Sequence, residues 1–350
     1  MRWRQIQHSG DSSQNIQAAV ANFGLGYDDV ISIVSSYVER AFAEFSTHAY
    51  AEAKQLAEEL TINYLSELQN QAPGSLKNVR SPGVQAALLD AQAAYAKSGD
   101  AELGSILVSL LVERTASEER NVKQLALTQA INTVEKMSKG HIQLLTAIFF
   151  SQALNVSKTP NIETLYKNLE ILKSPFLIGL KPTASDIQYL GDIGATRIDG
   201  FSEMSLGGAY RARYPGHYCL GIDAEKIPNR GLYEAIGLVG PSSRTPGLMQ
   251  VNAASVDDLT ERFENIDRPL RQPPDLQILT GLLSENPMSD DLVVGELELR
   301  VPGFADFNKL WNSTHLKKST ITITGQVISY MNAERTLGDN FQSSLSHWVS

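Results

Sequence analysis

The chain has 350 residues, 42% of them hydrophobic and 7% aromatic, and its 30 Lys and Arg against 39 Asp and Glu give a net charge of −9. This length suits two compact domains, and the composition is typical of a helical globular protein rather than a disordered one. The acidic balance argues against extended nonspecific contact with nucleic acid, which needs clustered Lys and Arg against the phosphates.

Cysteine content and apolar stretches of the sequence indicate in which cellular compartment the protein is expected. The single cysteine, Cys219, cannot form a disulfide within the chain, and His and Cys do not occur at metal-ligand spacing. We therefore expect a cytoplasmic protein without a metal or other cofactor. The polar start of the chain lacks the run of about 7 to 15 apolar residues of a signal peptide. Residues 142–150, the most apolar stretch, are too few for a transmembrane segment and predict a buried helix, with an interfacial helix as the alternative.

Residues 1–26 differ from the rest of the chain because they are rich in Gly, Ser, Asn and Gln and show no helical period. Ile16, Ala18 and Val20 alternate with their neighbours, which predicts a short strand. A lone strand is unstable, so we expect it to pair with the C-terminal part or with the same segment of another copy. The helix that follows in sequence favours pairing between copies. The residues expected to form this oligomerisation tag are Asn15, Ile16, Gln17 and Val20.

A helical domain is predicted over residues 27–175. Apolar side chains recur at three- and four-residue steps from Tyr27 to about residue 69, without Gly or Pro. One continuous helix there would be roughly 65 Å long, and the alternative is two ordinary helices joined by a kink. Further helix starts are predicted at Ser81-Pro82, at Thr115 to Glu118, at Ser138 and at Thr159-Pro160.

A smaller α+β domain is predicted over residues 176–350, which makes the protein mainly α. Thr183 to Asp186 resembles a capping box at the start of a short helix. Residues 210–214 and 217–222 flank Pro215-Gly216 and predict two strands around a turn. A helix followed by a hairpin occurs in winged-helix domains and in many other folds. Short helices are predicted at about residues 256–265, between two loops, and at residues 304–311, where apolar side chains form a helical face. Residues 297–301 predict another strand, whereas residues 321–328 fit both a strand and a helix, and we favour the helix.

The motifs of the common enzyme classes do not occur in the sequence, so no catalytic residue is predicted. There is no Gly-rich phosphate loop with its Lys, no Gly-x-Ser-x-Gly and no His-Glu-x-x-His. Glu44 and His48 could share one helix face, but a third metal ligand is lacking nearby. His217 and Cys219 could be paired as base and nucleophile, although a packed thiol is the better interpretation. An enzyme whose site is assembled from scattered residues stays an alternative.

Four residues are candidates for nucleic-acid contact. Arg211, Arg213 and Tyr214 lie in the predicted wing, with Arg197 nearby in sequence, and arginines beside an aromatic ring can meet phosphates. The alternative is an exposed strand with alternating charged residues, which the acidic balance favours.

Two segments resemble a known family. The residues of the first segment are Gly10, Asp11, Ser13, Asn15, Ile16, Gln17 and Ala18, followed by the helix start Tyr27 to Val30. Those of the second are Thr322, Gly325, Ile328, Asn332, Leu345, Ser346 and Trp348. They resemble an uncharacterised bacterial family with such an N-terminal tag and with a Thr-x-x-Gly-x-x-Ile helix and a Leu-Ser-x-Trp ending. Ala19 to Asn22 replace the Gly-Gly-Asp type of turn that follows the tag in that family.

The resemblance implies architecture and a bacterial origin rather than an activity, and such tags also resemble those on proteins of phage-defence islands. We therefore expect a cytoplasmic, homo-oligomeric binding or scaffold protein, or a sensor in bacterial antiviral defence. Its expected partners are further copies of itself and another protein. The alternatives are a nucleic-acid-binding regulator of the winged-helix type and an enzyme with a scattered site.

Overall fold

The computed structural model describes residues 46–349 except 118, 158, 200–202 and 268–271. The expected tag residues Asn15, Ile16, Gln17 and Val20, and Glu44, lie outside the described residues. The described part is mainly helical with small two-stranded sheets, which confirms the mainly α class. None of its helices is long and apolar enough to cross a membrane.

The chain forms two compact units, and each combines separate stretches of sequence. Unit 1 contains the described residues up to Thr146 together with Tyr189–Thr196 and the residues from Ile321 onward. Unit 2 contains Ala147–Gln188 and Arg197–Thr320. The division predicted at residue 175 is sequential, whereas these units are interleaved along the chain.

Unit 1 is built from long helices. They are α1 (Thr47–Gln71), α2 (Pro82–Ser98), α3 (Ala101–Ala116), α4 (Val122–Val134), the first part of α5 (Lys139–Gln152) and, near the C-terminal end, α14 (Ile323–Leu337). A 3₁₀ helix over Pro73–Arg80 joins α1 to α2. The apolar stretch 142–150 lies in α5, where Leu144, Leu145 and Ile148 are 0% exposed, which confirms the buried helix.

The start of α1 tests the continuous helix predicted over residues 27–69, while the alternative of two helices stays a prediction because residues 27–45 lie outside the described residues. Ser46 has extended backbone angles, φ −60° and ψ 153°, and its side chain accepts a hydrogen bond from the Ala49 amide. These are the features of an N-cap, at which a helix begins. A helix that runs unbroken from residue 27 to 69 is therefore excluded, because the helix described there starts at Thr47.

Local capping signals identified some helix starts and missed others. Ser81 accepts from the Val84 amide at the start of α2, and Ser138 accepts from the His141 amide at the start of α5, as predicted. The start predicted at Thr115 is wrong, because Thr115 is in the last turn of α3 and donates to the Leu111 carbonyl. Asn121 and Asn161 are the actual caps of α4 and of the helix that starts at Ile162.

The C-terminal residues that carry the family resemblance have packing roles in unit 1. Thr322 caps α14 by accepting from the Gly325 amide, and its hydroxyl also lies 2.8 Å from the Gly194 carbonyl oxygen. A Cβ at Gly325 would come within 2.1 Å of the Ala195 carbonyl oxygen, so only glycine fits this approach. Asn332 donates to Thr146 Oγ1 over 2.9 Å, and Trp348 donates to Ser343 Oγ over 3.0 Å.

Unit 2 consists of shorter elements. In chain order these are α6 (Ile162–Leu177), α7 (Ala184–Asp192, which ends in unit 1), β1 (Thr196–Ile198), α8 (Leu206–Arg213), α9 (Arg230–Ala235), β2 (Val239–Pro241), β3 (Met249–Val251), α10 (Val256–Glu264), α11 (Pro273–Leu282), α12 (Asp290–Arg300), α13 (Phe304–Ser313) and β4 (Ser319–Ile321). β2 and β3 pair antiparallel with Val239 opposite Val251, and β1 pairs with β4. The predicted capping box at Thr183 is confirmed, because Thr183 and Asp186 exchange side-chain to backbone hydrogen bonds.

The predicted hairpin over residues 210–222 is wrong in its first strand, because residues 206–213 form α8. Ser205 caps this helix by accepting from the Gly208 amide. A Cβ at Gly207 would lie 2.3 Å from the Asp290 carbonyl oxygen, so α8 packs closely on the start of α12. Residues 217–222 form only isolated bridges, at Cys219 and at Ile222. The described part therefore lacks the hairpin that the winged-helix interpretation requires at this place.

The strand predicted over residues 297–301 is also wrong, because these residues lie at the end of α12. Val293, Leu297 and Val301 are at most 1% exposed and follow each other at four-residue spacing. Five alternating residues can match a period of two while the buried positions of a longer stretch follow the helical period. The helices predicted at 256–265 and 304–311, and the helix favoured after residue 321, are confirmed as α10, α13 and α14.

Candidate functional site

The residues proposed for phosphate contact are mostly engaged by the protein itself. Arg211 Nη1 donates to the Met288 carbonyl over 2.9 Å and forms an ion pair with Asp290 at 2.8 Å. Arg213 Nη2 donates to the carbonyls of Ser151 and Gln152, both over 2.6 Å, and so satisfies the last turn of α5. The buried Tyr214 hydroxyl accepts from the Val156 amide over 2.7 Å.

Arg197 differs from these three residues. It is exposed on β1, and no hydrogen bond or ion pair joins its guanidinium to the described part of the chain. Contact of these residues with nucleic acid stays a prediction, and Arg197 is the one of the three arginines whose guanidinium has no partner among the described residues.

A cavity of ≈ 800 Å³ in unit 2 brings Arg213 and Tyr214 beside α10. One wall is the chain around Asn155–Pro160, the second is the end of α8, and the third is residues 254–265. This volume lies in the range of about 300 to 1,000 Å³ typical of ligand pockets. We call this cavity the α10 groove, after the helix that contributes Val256, Asp257, Asp258, Glu261 and Arg262 to it.

Hydrogen bonds fix the wall formed by residues 155–157, 159 and 160. Tyr214 holds Val156, and His217 Nε2 lies 3.0 Å from the Thr159 carbonyl oxygen and 3.1 Å from its hydroxyl. Because a carbonyl oxygen only accepts, Nε2 carries the proton and donates. Burial lowers the pKa of His217 to about 4, against the opposing effect of this hydrogen bond, so the imidazole is neutral at physiological pH.

The backbone carbonyl of His217 is hydrogen-bonded to a partly buried ion pair of Arg244 with Glu296. Arg244 Nη1 and Nη2 contact the two carboxylate oxygens of Glu296 at 2.8 and 3.0 Å, and Arg244 Nε donates to the His217 carbonyl over 2.8 Å. The Tyr166 hydroxyl donates to the same carboxylate over 2.6 Å. The hydrogen bonds from Arg244 hold the pKa of Glu296 below its ordinary value. This bidentate geometry ties residues 217 and 244 to α12.

A buried lysine, Lys173, lies near Arg213 in unit 2. Lys173 on α6 is 1% exposed, donates to the Phe150 carbonyl over 2.6 Å and contacts the Tyr210 hydroxyl. Burial, with a further contribution from the Arg213 guanidinium, holds the pKa of Lys173 well below its ordinary value. Burial likewise raises the pKa of Tyr210 well above its ordinary value, so the hydroxyl that Lys173 contacts keeps its proton.

The α10 wall of the groove carries uncompensated negative charge. Asp258 accepts from the Ala254 amide and from Arg262 Nε, both over 2.8 Å, so these two charges cancel locally. Asp257 and Glu261 stand one helical turn apart and are exposed. Neither carboxylate has an ion pair or hydrogen bond with any residue that the structure describes. Among the described residues that line the groove, the three carboxylates of Asp257, Asp258 and Glu261 exceed the two guanidinium groups of Arg213 and Arg262 by one charge.

A second cavity of ≈ 400 Å³ shares Arg262 and Asn265 with the α10 groove. It is lined further by Ile236, Gly237, Leu238, Ile266 and Asp267. The two cavities therefore follow α10 from its N-terminal end to beyond its C-terminal end.

Several polar side chains in and around the groove are engaged by the protein itself. The Tyr214, Thr159 and Ser255 side chains are each engaged in hydrogen bonds with the protein. Cys219 is a buried thiol, while the His217 ring is bonded to Thr159. Within the described residues no group of three or more His, Cys, Asp or Glu could hold a metal ion. Sequence reasoning missed Asp257 and Glu261, because acidic residues in the first turns of a helix are an ordinary helix-start feature.

Comparisons with known proteins identify a family but not an activity. A family model whose description names neither an activity nor a ligand matches residues 24–349 of the chain. No curated protein and no solved structure matches it.

Proposed function

This chain belongs to the family whose model matches it, and we propose that it is a non-catalytic binding protein that holds its ligand in the α10 groove. One observation carries the proposal. The groove is large enough for a ligand, and the exposed carboxylates of Asp257 and Glu261 on its wall have no ion pair or hydrogen bond with the described residues.

The rigid surroundings of the groove support binding further. Val156 donates to the Tyr214 hydroxyl, and Thr159 is hydrogen-bonded to His217. Arg244, which is paired with Glu296, donates in turn to the His217 carbonyl. A wall fixed before the ligand arrives costs less ordering on binding, which is the physical advantage of a preformed site.

The test is a ligand screen against a variant whose groove is filled. Ser157→Trp places a large ring at an exposed position of the groove wall, and Ser284→Trp places the same ring at an exposed position elsewhere in unit 2. We expect compounds from a mixed library of small metabolites and short peptides to raise the melting temperature of the wild type and of Ser284→Trp, but not of Ser157→Trp. Mass spectrometry should recover these compounds unchanged. Stabilisation that Ser157→Trp retains, or steady conversion of a compound, would contradict the proposal.

We propose in addition that the protein assembles into homo-oligomers through residues 1–26 in a bacterial cytoplasm. The support is the alternating pattern of Ile16, Ala18 and Val20, which predicts a strand in need of a partner, and the single cysteine. A scaffold or sensor role in antiviral defence rests on the resemblance of the tag to those of phage-defence proteins. Multi-angle light scattering tests the assembly. A monomer at micromolar concentration would exclude it, as would a deletion of residues 1–26 that leaves the mass of the assembly unchanged.

A further inference from the structure

The two cavities along α10 form one elongated surface, and its shape indicates the class of ligand. Arg262 and Asn265 line both cavities, which have volumes of ≈ 800 and ≈ 400 Å³. The nine residues of α10 extend about 13 Å at 1.5 Å per residue. A peptide in extended conformation covers that length with about four residues. An elongated ligand fits this surface better than a compact one does.

Charge on this surface selects against anions. Asp257 and Glu261 are exposed on the groove wall, and Asp267 is exposed at the far end. None of the three carboxylates has an ion pair or hydrogen bond within the described part of the chain. Of the described cations that line the two cavities, Arg262 pairs with Asp258, and Arg213 donates to the carbonyls of α5. A ligand with positive charge along its middle would complement these carboxylates.

Apolar side chains stand at the two ends of the same surface. Val256 lines the α10 groove and is 42% exposed, and Ile236 lines the second cavity and is 44% exposed. Exposed apolar side chains beside a cavity give a ligand places to bury apolar groups of its own. Each cavity therefore has an exposed apolar side chain in its lining, and the α10 groove also has the carboxylates of Asp257 and Glu261.

We infer that this surface binds an extended, basic peptide segment of a partner protein, with Lys or Arg side chains opposite Asp257 and Glu261 and apolar residues toward Val256 and Ile236. The inference rests on the proposed function and adds the class of ligand to it. Peptides recognised in extended form combine backbone contacts with pockets for alternate side chains. The two carboxylates then determine which side chains are accepted.

The test starts with an unbiased selection. The full chain is used to select from a phage-displayed library of random nine-residue peptides, and the best binder is measured with the purified protein by fluorescence polarisation. We expect the selected peptides to contain Lys or Arg flanked by apolar residues. We also expect their affinity to fall at least tenfold between 50 and 500 mM salt, because exposed charges are screened.

Two charge-matched variants locate the effect. Asp257→Asn with Glu261→Gln should weaken binding of the selected peptide at least tenfold. Glu170→Gln with Asp306→Asn removes the same total charge from exposed positions of unit 2 outside the groove, and should change affinity less than twofold. Melting temperatures show whether each variant is folded. Equal losses in both double variants would overturn the inference, because the peptide would then respond to net charge alone.

The outcomes separate the ligand class from the proposed function. If selection yields neutral or acidic peptides that Ser157→Trp no longer binds, the groove binds ligands but the inference is overturned. If no peptide is selected while small metabolites bind in the groove, the inference is again overturned and the proposed function stands. If neither peptides nor metabolites bind, both fail.

Discussion

The two units use different interactions in their interiors. In unit 1, buried side-chain hydrogen bonds join neutral groups: the Tyr64 and Thr115 hydroxyls are 2.7 Å apart, and Gln92 donates to Thr61 over 2.7 Å. Unit 2 buries ionisable groups, among them Lys173, and has the partly buried Arg244 to Glu296 pair. Neutral contacts do not respond to pH, whereas titratable ones do. We therefore expect the stability of unit 2, which contains the groove, to depend on solution conditions more than that of unit 1.

The largest effect is expected from a substitution that creates a cavity in the core of unit 1. Leu107 is 0% exposed, so Leu107→Ala removes buried methyl groups and should lower the free energy of unfolding by about 2–5 kcal/mol. Leu125→Ala, at a side chain that is 51% exposed, should change it by less than about 0.5 kcal/mol. Urea unfolding measures both. A loss for Leu107→Ala no larger than that for Leu125→Ala would contradict the role given to Leu107 in the core of unit 1.

The second largest effect is a loss of stability of unit 2 in acid. The pKa of His217 is about 4 in the folded protein and near 6.5 when unfolded, so the unfolded chain binds more protons between these values. The stability contributed by neutral His217 is complete above about pH 6.5 and is lost as the pH falls toward 4, by up to about 3 kcal/mol.

The comparison of wild type with His217→Gln tests this pH dependence, because the Gln amide can still donate to the Thr159 carbonyl but does not titrate. Urea unfolding from pH 7 to 4.5 should show a smaller decline for the variant. Hydrogen exchange resolved by peptide should place the early loss of protection in residues 147–188 and 197–320. A decline as steep in the variant as in the wild type would contradict the role given to His217.

A third prediction concerns the close approach of Gly325 to the backbone of Ala195 in unit 1. Gly325→Ala brings a methyl group to within 2.1 Å of the Ala195 carbonyl oxygen and should cost about 1–3 kcal/mol. Gly295→Ala provides the control, because no atom lies within 4 Å of the added Cβ on α12. That substitution should stabilise the helix by up to about 1 kcal/mol. Thermal unfolding would contradict this account if the two alanines shifted the melting temperature in the same direction.

The smallest effect is expected from the ion pair of unit 2. Glu296→Gln keeps the shape of the side chain but removes the charge that Arg244 contacts, and should cost about 1–2 kcal/mol at pH 7. Because the pKa of Glu296 is lowered in the folded protein, its contribution is present above the unfolded pKa and is lost as the pH falls through the folded value. The difference between wild type and variant should therefore shrink below about pH 4. A constant difference from pH 7 to 3 would show that the charge is not responsible.

Part of the fold follows from local signals. Ser81-Pro82, Ser138 and the Thr183 capping box marked helix starts correctly, because a cap depends on atoms only three residues away. The mistakes occurred where local patterns were ambiguous. Residues 210–214 and 297–301 alternate as strands do, but Tyr210 and Leu297 are buried by neighbours distant in sequence, and this burial favours the helix.

The groove could be predicted only in part from the sequence. The helix at residues 256–265 was predicted, and Arg213 and Tyr214 were singled out, but for contact with phosphates. In the structure both line the groove while their polar groups bind α5 carbonyls and the Val156 amide. Which arginine is available to a ligand depends on carbonyls more than 50 residues away, and no local pattern contains that information.

The sequence by itself determined that this is a mainly helical chain, where many of its helices begin, and which family it resembles, since these properties depend on periodicity and on short-range capping. Only the tertiary structure decided that residues 206–213 are helical, that Lys173 is buried beside Tyr210 and Arg213, and that Asp257 and Glu261 line a cavity in which no described residue pairs with their carboxylates. The physical reason is that burial and charge balance are sums over groups far apart in sequence, which exist only once the chain has folded.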